Sequence, residues 1–172
     1  MSAMAHEHIV IDAQLLTIPL ERNFGVIQAQ IKGLTHEDSL LQLPFRGNCL
    51  NWILGHITQS RNKMLDLVNE SLVWTPEEVA RYERNSEPVT SGEDALRFEK
   101  IIADLGTAHQ RLIAALAPMT PDDLGVTGKE VIKGTPPWSI AEYLNFLIWH
   151  ETYHVGQTEI LRQLSGVNDK VI

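Results

Sequence analysis

Apolar residues recur at spacings of three and four along four long stretches of the chain, and strict alternation is absent over any useful length. The period is that of the α-helix. The first stretch runs from about Thr17 to Leu34, with Leu20, Phe24, Ile27 and Ile31 on one stripe. Thr17 is placed to cap it, and Pro19 falls in the first turn, where its missing N–H costs nothing. Residues 9–16 read as a short lead-in helix, and Thr35 to Pro44 as a connector with one helical turn. The second stretch, from about Asn48 to Glu70, sets Trp52, Ile53, His56, Ile57, Met64 and Val68 near one face. Thr75-Pro76-Glu77-Glu78 then reads as a capped turn, and Asn85 to Gly92 as a surface loop. The third stretch runs from about Gly92 to Ala117, started by Ser91 with Asp94 or Thr90 with Glu93 and stopped by Pro118. Its stripe is Leu96, Ile101, Leu105, Leu112 and Leu116. Residues 120–137 form the longest break, with a short extended piece at Glu130–Lys133. The fourth stretch runs from about Ser139 to Leu164, between a Ser139/Glu142 capping box and Gly166. Four amphipathic helices of about 18 to 26 residues predict an all-α four-helix bundle.

Composition narrows the function classes. With 172 residues, the chain suits one domain spanning 1–172. Lysine plus arginine is 14 and aspartate plus glutamate is 22, a net charge of −8. That balance argues against nucleic acid and against a polybasic membrane contact. A single cysteine, Cys49, excludes an internal disulfide framework and suits a reducing compartment. No apolar run reaches the roughly 20 residues of a membrane span, and the first residues lack a basic head followed by an apolar stretch. The expectation is a cytoplasmic protein.

The seven histidines carry the chemistry. His6 and His8 sit in the N-terminal stretch, His36 in a connector and His109 alone on the third helix. His150 and His154 are four apart on the fourth helix, which stacks them on one face with Cβ atoms about 5–6 Å apart. Two imidazoles on an apolar face need partners for four ring nitrogens, and a shared metal ion satisfies those that face it. His56 is a candidate third ligand, or a core histidine bonded to a carbonyl. It follows Gly55, and a mid-helix glycine costs about 1 kcal/mol relative to alanine. Close approach of a neighbouring helix would explain that choice.

The stretches Asn51-Trp52-Ile53-Leu54-Gly55-His56-Ile57, followed by Arg61, and His150-Glu151-Thr152-Tyr153-His154-Val155-Gly156-Gln157, followed by Leu161-Arg162, resemble the two signature segments of the DinB/YfiT-like superfamily. The likeness covers essentially the whole chain. It implies a bundle in an up-down-down-up arrangement, often a homodimer, and one divalent ion, nickel or zinc. Carried over residue by residue, the ligands are His56, His150 and His154. Superfamily members include transferases using low-molecular-weight thiols, thiol-dependent isomerases and proteins described as metal hydrolases. The resemblance therefore implies a metal-dependent enzyme acting on small molecules, of the thiol S-transferase type. The alternatives are a metal-dependent hydrolase and a non-catalytic metal-binding stress-response protein.

Around the triad, Trp52 and Tyr153 are either pocket walls or core. Gln157, three residues after His154, either holds water or a substrate group or is a surface amide. Glu151 is rotated about 100° from His150, off the ligand face, and is expected to bond a neighbouring helix instead. Glu159 is the other acidic residue near by, and no general base can be assigned. Cys49 lies seven residues before His56 and reads as packing rather than as a nucleophile. His109 is an alternative ligand with nothing to pair with on its own helix. Trp149 and Gly156 are candidates for a dimer contact. Metal binding is expected to weaken below about pH 6.5, where free imidazole protonates.

Overall fold

The computed structural model describes residues 12–127, 136–167 and 169. Seven helices occur among them: α1 (Ala13–Ile31), α2 (His36–Ser39), α3 (Leu50–Leu67), α4 (Pro76–Arg81), α5 (Phe98–Leu116), α6 (Pro121–Gly125) and α7 (Ile140–Leu164). The four long ones form the bundle. Contacts fix their directions. Asn23 of α1 meets Glu151 and Thr152 of α7, and further along the carbonyls of Gln30 and Lys32 meet Arg162, so these helices run parallel. Asn51 at the start of α3 meets Leu96 just before α5, and Arg61 meets His109, so α3 and α5 are also parallel. His56 lies against His154 while Arg61 lies against Glu151, which makes α3 and α7 antiparallel. The arrangement is the up-down-down-up bundle that the resemblance implies.

Several boundaries differ from the sequence reading, each for a physical reason. Helix α1 begins at Ala13, capped by Asp12, whose carboxylate accepts from the Gln14 N–H at 2.8 Å. Pro19 is therefore inside the helix, not in its first turn. The buried stripe Ala13, Leu16 and Leu20 runs straight through it into the core, and that packing outweighs the lost hydrogen bond. Helix α5 begins at Phe98, six residues later than the predicted Gly92, because the backbone of Leu96 is held elsewhere. Its N–H donates to the Tyr82 hydroxyl at 2.8 Å, and its carbonyl accepts from the Asn51 amide at 3.0 Å. Arg97 offers no side-chain cap; instead the Phe98 N–H donates to Nδ1 of buried His36 at 3.2 Å. The predicted break after α5 contains α6, whose Thr120/Asp123 capping box the sequence reading passed over. The predicted extended piece at 130–133 lies outside the described residues. The capped turn at Thr75–Glu78 and the Ser139/Glu142 box form as expected. Among the described residues, no helix is long and apolar enough to cross a membrane.

Helix α3 is the axis of the molecule. Fifteen of its eighteen residues are buried, yet seven of those are polar or charged: Asn51, His56, Thr58, Gln59, Ser60, Arg61 and Asn62. Such groups need partners in the interior. Arg61 and Glu151, both 0 % exposed, form a two-pronged pair, Nε to Oε2 at 2.5 Å and Nη2 to Oε1 at 2.8 Å. The guanidinium also donates to the Leu20 carbonyl and to Nδ1 of His109, and Asn23 donates to the carboxylate. All four long helices meet at this cluster.

Replacing one partner of this pair leaves the other buried without compensation, which typically costs about 3–5 kcal/mol. Arg61→Met is thus expected to lower the urea midpoint sharply. Adding Glu151→Leu should recover much of the loss, because two apolar side chains of similar bulk then fill the space. A double variant no more stable than Arg61→Met would contradict this account.

Candidate metal centre

Three histidines come together at the edge where α3 faces α7. One ring nitrogen each from His56, His150 and His154 lies within 4.8 Å of the others. His56 is buried and the other two are half-buried. The ring of His56 stands edge-on to both partners, with centroids 5.1 Å from His150 and 4.9 Å from His154.

The hydrogen bonds sort the ring nitrogens. His56 Nδ1 donates to the Tyr82 carbonyl at 2.6 Å, which leaves Nε2 with a free lone pair. His154 Nδ1 donates to the Gln157 amide oxygen at 2.7 Å, with the same consequence. His154 Nε2 then faces His150 Nε2 across 3.1 Å. Two nitrogens bound to one tetrahedral ion at about 2.0–2.1 Å sit about 3.3 Å apart, so the pair is already near chelating separation. The donor set fits a divalent cation: three neutral imidazoles, two of them oriented through their second nitrogen by a fixed acceptor.

Protons compete weakly for these lone pairs. Burial pushes His56 down to about 4; its bond to the Tyr82 carbonyl opposes that only partly, and the other two imidazoles add to the lowering. His150 is lowered by burial and then by His154, Lys63 and Arg84. His154 is lowered by burial against the opposing Gln157 bond.

The segment between α3 and α5 holds His56 in place, and Tyr82 is its centre. An ideal Cβ on Gly55 would lie 2.2 Å from Cδ1 of the Tyr82 ring. What approaches the glycine is therefore this ring and not, as the sequence reading had it, a neighbouring helix. The Tyr82 hydroxyl donates to Asn51 at 2.9 Å, and its carbonyl takes the His56 proton. Trp52 lies flat on the His56 ring at 4.7 Å, with its indole N–H donated to Ser86 at 3.0 Å. Asn62 binds the backbone of Val73 and Trp74. Thus Asn51, Trp52, Gly55 and His56 each have a separate task in one short stretch.

Other sequence candidates fall where the structure gives them different work. Trp52 is at once core and wall of the site. Tyr153 is 62 % exposed, with its ring edge-on to His154 at 5.3 Å, so it belongs to the rim. Gln157 orients His154 through its amide oxygen. Glu151 faces away from the triad, and Glu159 is exposed on α7. His109 belongs to the Arg61 cluster and contacts Glu21 at 3.3 Å. Cys49 is 1 % exposed at the head of α3; burial pushes its thiol up, which suits packing. Trp149 is 63 % exposed, and nothing lies within 4 Å of a Cβ built on Gly156. His6 and His8 lie outside the described residues. The residues missed from sequence are Tyr82, Asn23 and the capping role of His36. Tyr82 is unreadable locally, since it acts from 26 positions away on His56.

Gly55→Ala raises helix propensity by about 1 kcal/mol but drives a methyl into the Tyr82 ring. The clash should win, with a net loss of about 1–3 kcal/mol in chemical denaturation. Pairing it with Tyr82→Leu, which removes the ring, should lessen the alanine's cost; an equal cost in both backgrounds would contradict the steric explanation.

Comparisons agree with the helical fold. A family model described as the DinB superfamily matches residues 12–158. A crystal structure of a conserved protein from Enterococcus faecalis superposes with a TM-score of 0.66 at 15 % identity, covering 90 % of this chain and 97 % of that one. Among curated proteins, none matches. With the family match taking in His56, His150 and His154 and most of the chain, the chain belongs to the DinB superfamily.

Proposed function

We propose that the protein binds one divalent ion, nickel or zinc, through His56, His150 and His154, and acts as a metal-dependent transferase using a low-molecular-weight thiol. The observation that carries this reading is the convergence of three imidazole nitrogens, with no fourth ligand beside them among the described residues. Closed structural sites use four protein ligands, whereas open three-ligand sites keep a position for a small molecule. When bound, the ion supplies a Lewis-acid position that favours the thiolate form of a thiol.

The chain's own residues do the rest. The Tyr82 carbonyl and the Gln157 amide hold the ligand tautomers. Trp52 shields the inner face of His56 from water. Thiol transfer suits this site better than hydrolysis, because hydrolysis calls for a base and Glu151, the carboxylate next to His150 in the chain, is committed to Arg61. In the transfer, the thiol proton passes to solvent. The sulfur bonds to an electrophilic carbon, whose leaving group departs with its electron pair.

Metal analysis of protein purified without a histidine tag should find close to one divalent ion per chain. His150→Ala should abolish it, and failure to retain metal under any loading condition would contradict the proposal. In a panel of thiol-transfer and ester-hydrolysis substrates, turnover should occur with thiols and vanish in His56→Ala.

The pH dependence follows from the lowered imidazoles. Each folded-state value lies below the ordinary 6.5, so on acidification the unfolded chain takes up protons first. Metal-free stability should be flat above about pH 6.5 and decline as the pH falls towards about 4. Metal should likewise persist below pH 6.5, a lower window than free imidazole implies. Release complete at about pH 6.5 in an affinity titration would contradict the burial of these rings.

A further inference from the structure

We infer that His109 is a proton-operated latch: uncharged, it ties α5 to the buried cluster by accepting a hydrogen bond from Arg61, and a proton taken up at that same nitrogen undoes the tie.

The bonding fixes the starting state. A guanidinium only donates, so the His109 Nδ1 that lies 3.1 Å from Arg61 Nη1 must offer its lone pair. The proton of the neutral ring is therefore on Nε2, which donates it to the Glu21 carboxylate at 3.3 Å. The residue is 6 % exposed, and its ring stacks on Phe24 with centroids 4.1 Å apart. Among the described residues, His109 alone supplies side-chain hydrogen bonds from α5 to α1. The two helices stand apart beside it. A cavity of about 250 Å³, lined by Ile27, Ile31, Leu105 and Gly106, opens along the seam beyond Phe24. Contact at His109 is thus what closes the seam at this level.

A second proton breaks one bond and spares its neighbours. The new Nδ1–H and the Arg61 N–H face each other in the interior, two donors with no acceptor between them. Among the described residues Nη1 makes no other bond, whereas the pair with Glu151 uses Nε and Nη2 and survives. Glu21 is exposed and draws the imidazolium outward. Protonation therefore loosens α5 from α1 and α3 but leaves α3 joined to α7, so the latch works apart from the three histidines. Charged groups reach the ring from three helices: Glu21 on α1, Arg61 on α3 and Glu151 on α7. Burial first, and then Arg61, hold the ring below the ordinary 6.5, against the opposing pull of Glu21 and Glu151. On acidification the unfolded chain thus takes this proton before the folded one, and the stability contributed by the tie declines below about pH 6.5.

Nitrogen-15 spectra of the histidine rings test this on the full chain, with His109 identified by its contact with Phe24 and by its loss in His109→Asn. Near neutral pH, Nδ1 should resonate as a hydrogen-bonded acceptor and Nε2 as a protonated nitrogen. The reverse tautomer, or a doubly protonated ring, would overturn the inference. On acidification the ring should titrate below 6.5. Protection of the α5 amides around Ala108 and Leu112 against hydrogen exchange, corrected for the pH dependence of the chemical step, should fall severalfold in step with it. In His109→Asn the amide oxygen can accept from Arg61 at every pH, so most of that fall should disappear; an equal fall in the variant would overturn the latch. Glu21→Gln alters an exposed side chain, keeps an acceptor for Nε2 and removes the outward attraction, so the His109 midpoint should drop further. A midpoint unmoved or raised would count against the latch. Should His109→Asn not fold, the tautomer and the Glu21→Gln shift decide.

Discussion

A buried arginine and a buried glutamate decide how this bundle is assembled. Charges in an interior must find each other and fill their remaining hydrogen-bonding capacity. Arg61 and Glu151 do so using Leu20 and Asn23 of α1 and His109 of α5, so all four long helices are bound into one cluster. The rotation of α7 follows. With Glu151 turned inward, His150 and His154 are carried to one flank of that direction, at about 100° and 60° from it. On α3, Arg61 pointing inward turns His56 about 140° away, to the edge where it meets both. The histidines therefore meet at the margin of the core, where His56 is buried and His150 and His154 are half-buried.

The connection between α3 and α5 completes the inner wall. It contributes no metal ligand but is bound along α3: Asn51 to Leu96 and the Tyr82 hydroxyl, Trp52 to Ser86, Gly55 against the Tyr82 ring, His56 to the Tyr82 carbonyl, and Asn62 to Val73 and Trp74. The same contacts delay the start of α5, because the backbone at Leu96 is spent on Asn51 and Tyr82. Fold and site thus share parts. The unwound turn before α5 accompanies the fixing of the Tyr82 carbonyl that orients His56.

Helical spacing in the sequence revealed the four long helices, two of the short capped turns and the pairing of His150 with His154. The inward exclusion of Glu151 from the ligand face was also legible, since 100° per residue is a property of any helix. Convergence with His56 came from the resemblance, not from spacing. What stayed hidden depends on distant partners: the ring that fills the Gly55 notch, the His36 cap on α5, and the polar interior of α3. A pattern of apolar positions finds helices that bury hydrocarbon. It is blind to the polar residues that α3 also buries, Asn51, Gln59, Arg61 and Asn62 among them.

The account turns on three imidazoles meeting one cation in a shell left open by the protein. X-ray absorption at the edge of the bound metal measures that shell directly. The structure predicts three histidine nitrogens, at about 2.0–2.1 Å for zinc, with the outer-atom scattering of imidazole rings and at least one further light atom not supplied by the chain. A shell containing the Cys49 sulfur, a shell of carboxylate oxygens, or one with fewer than three imidazoles would contradict it.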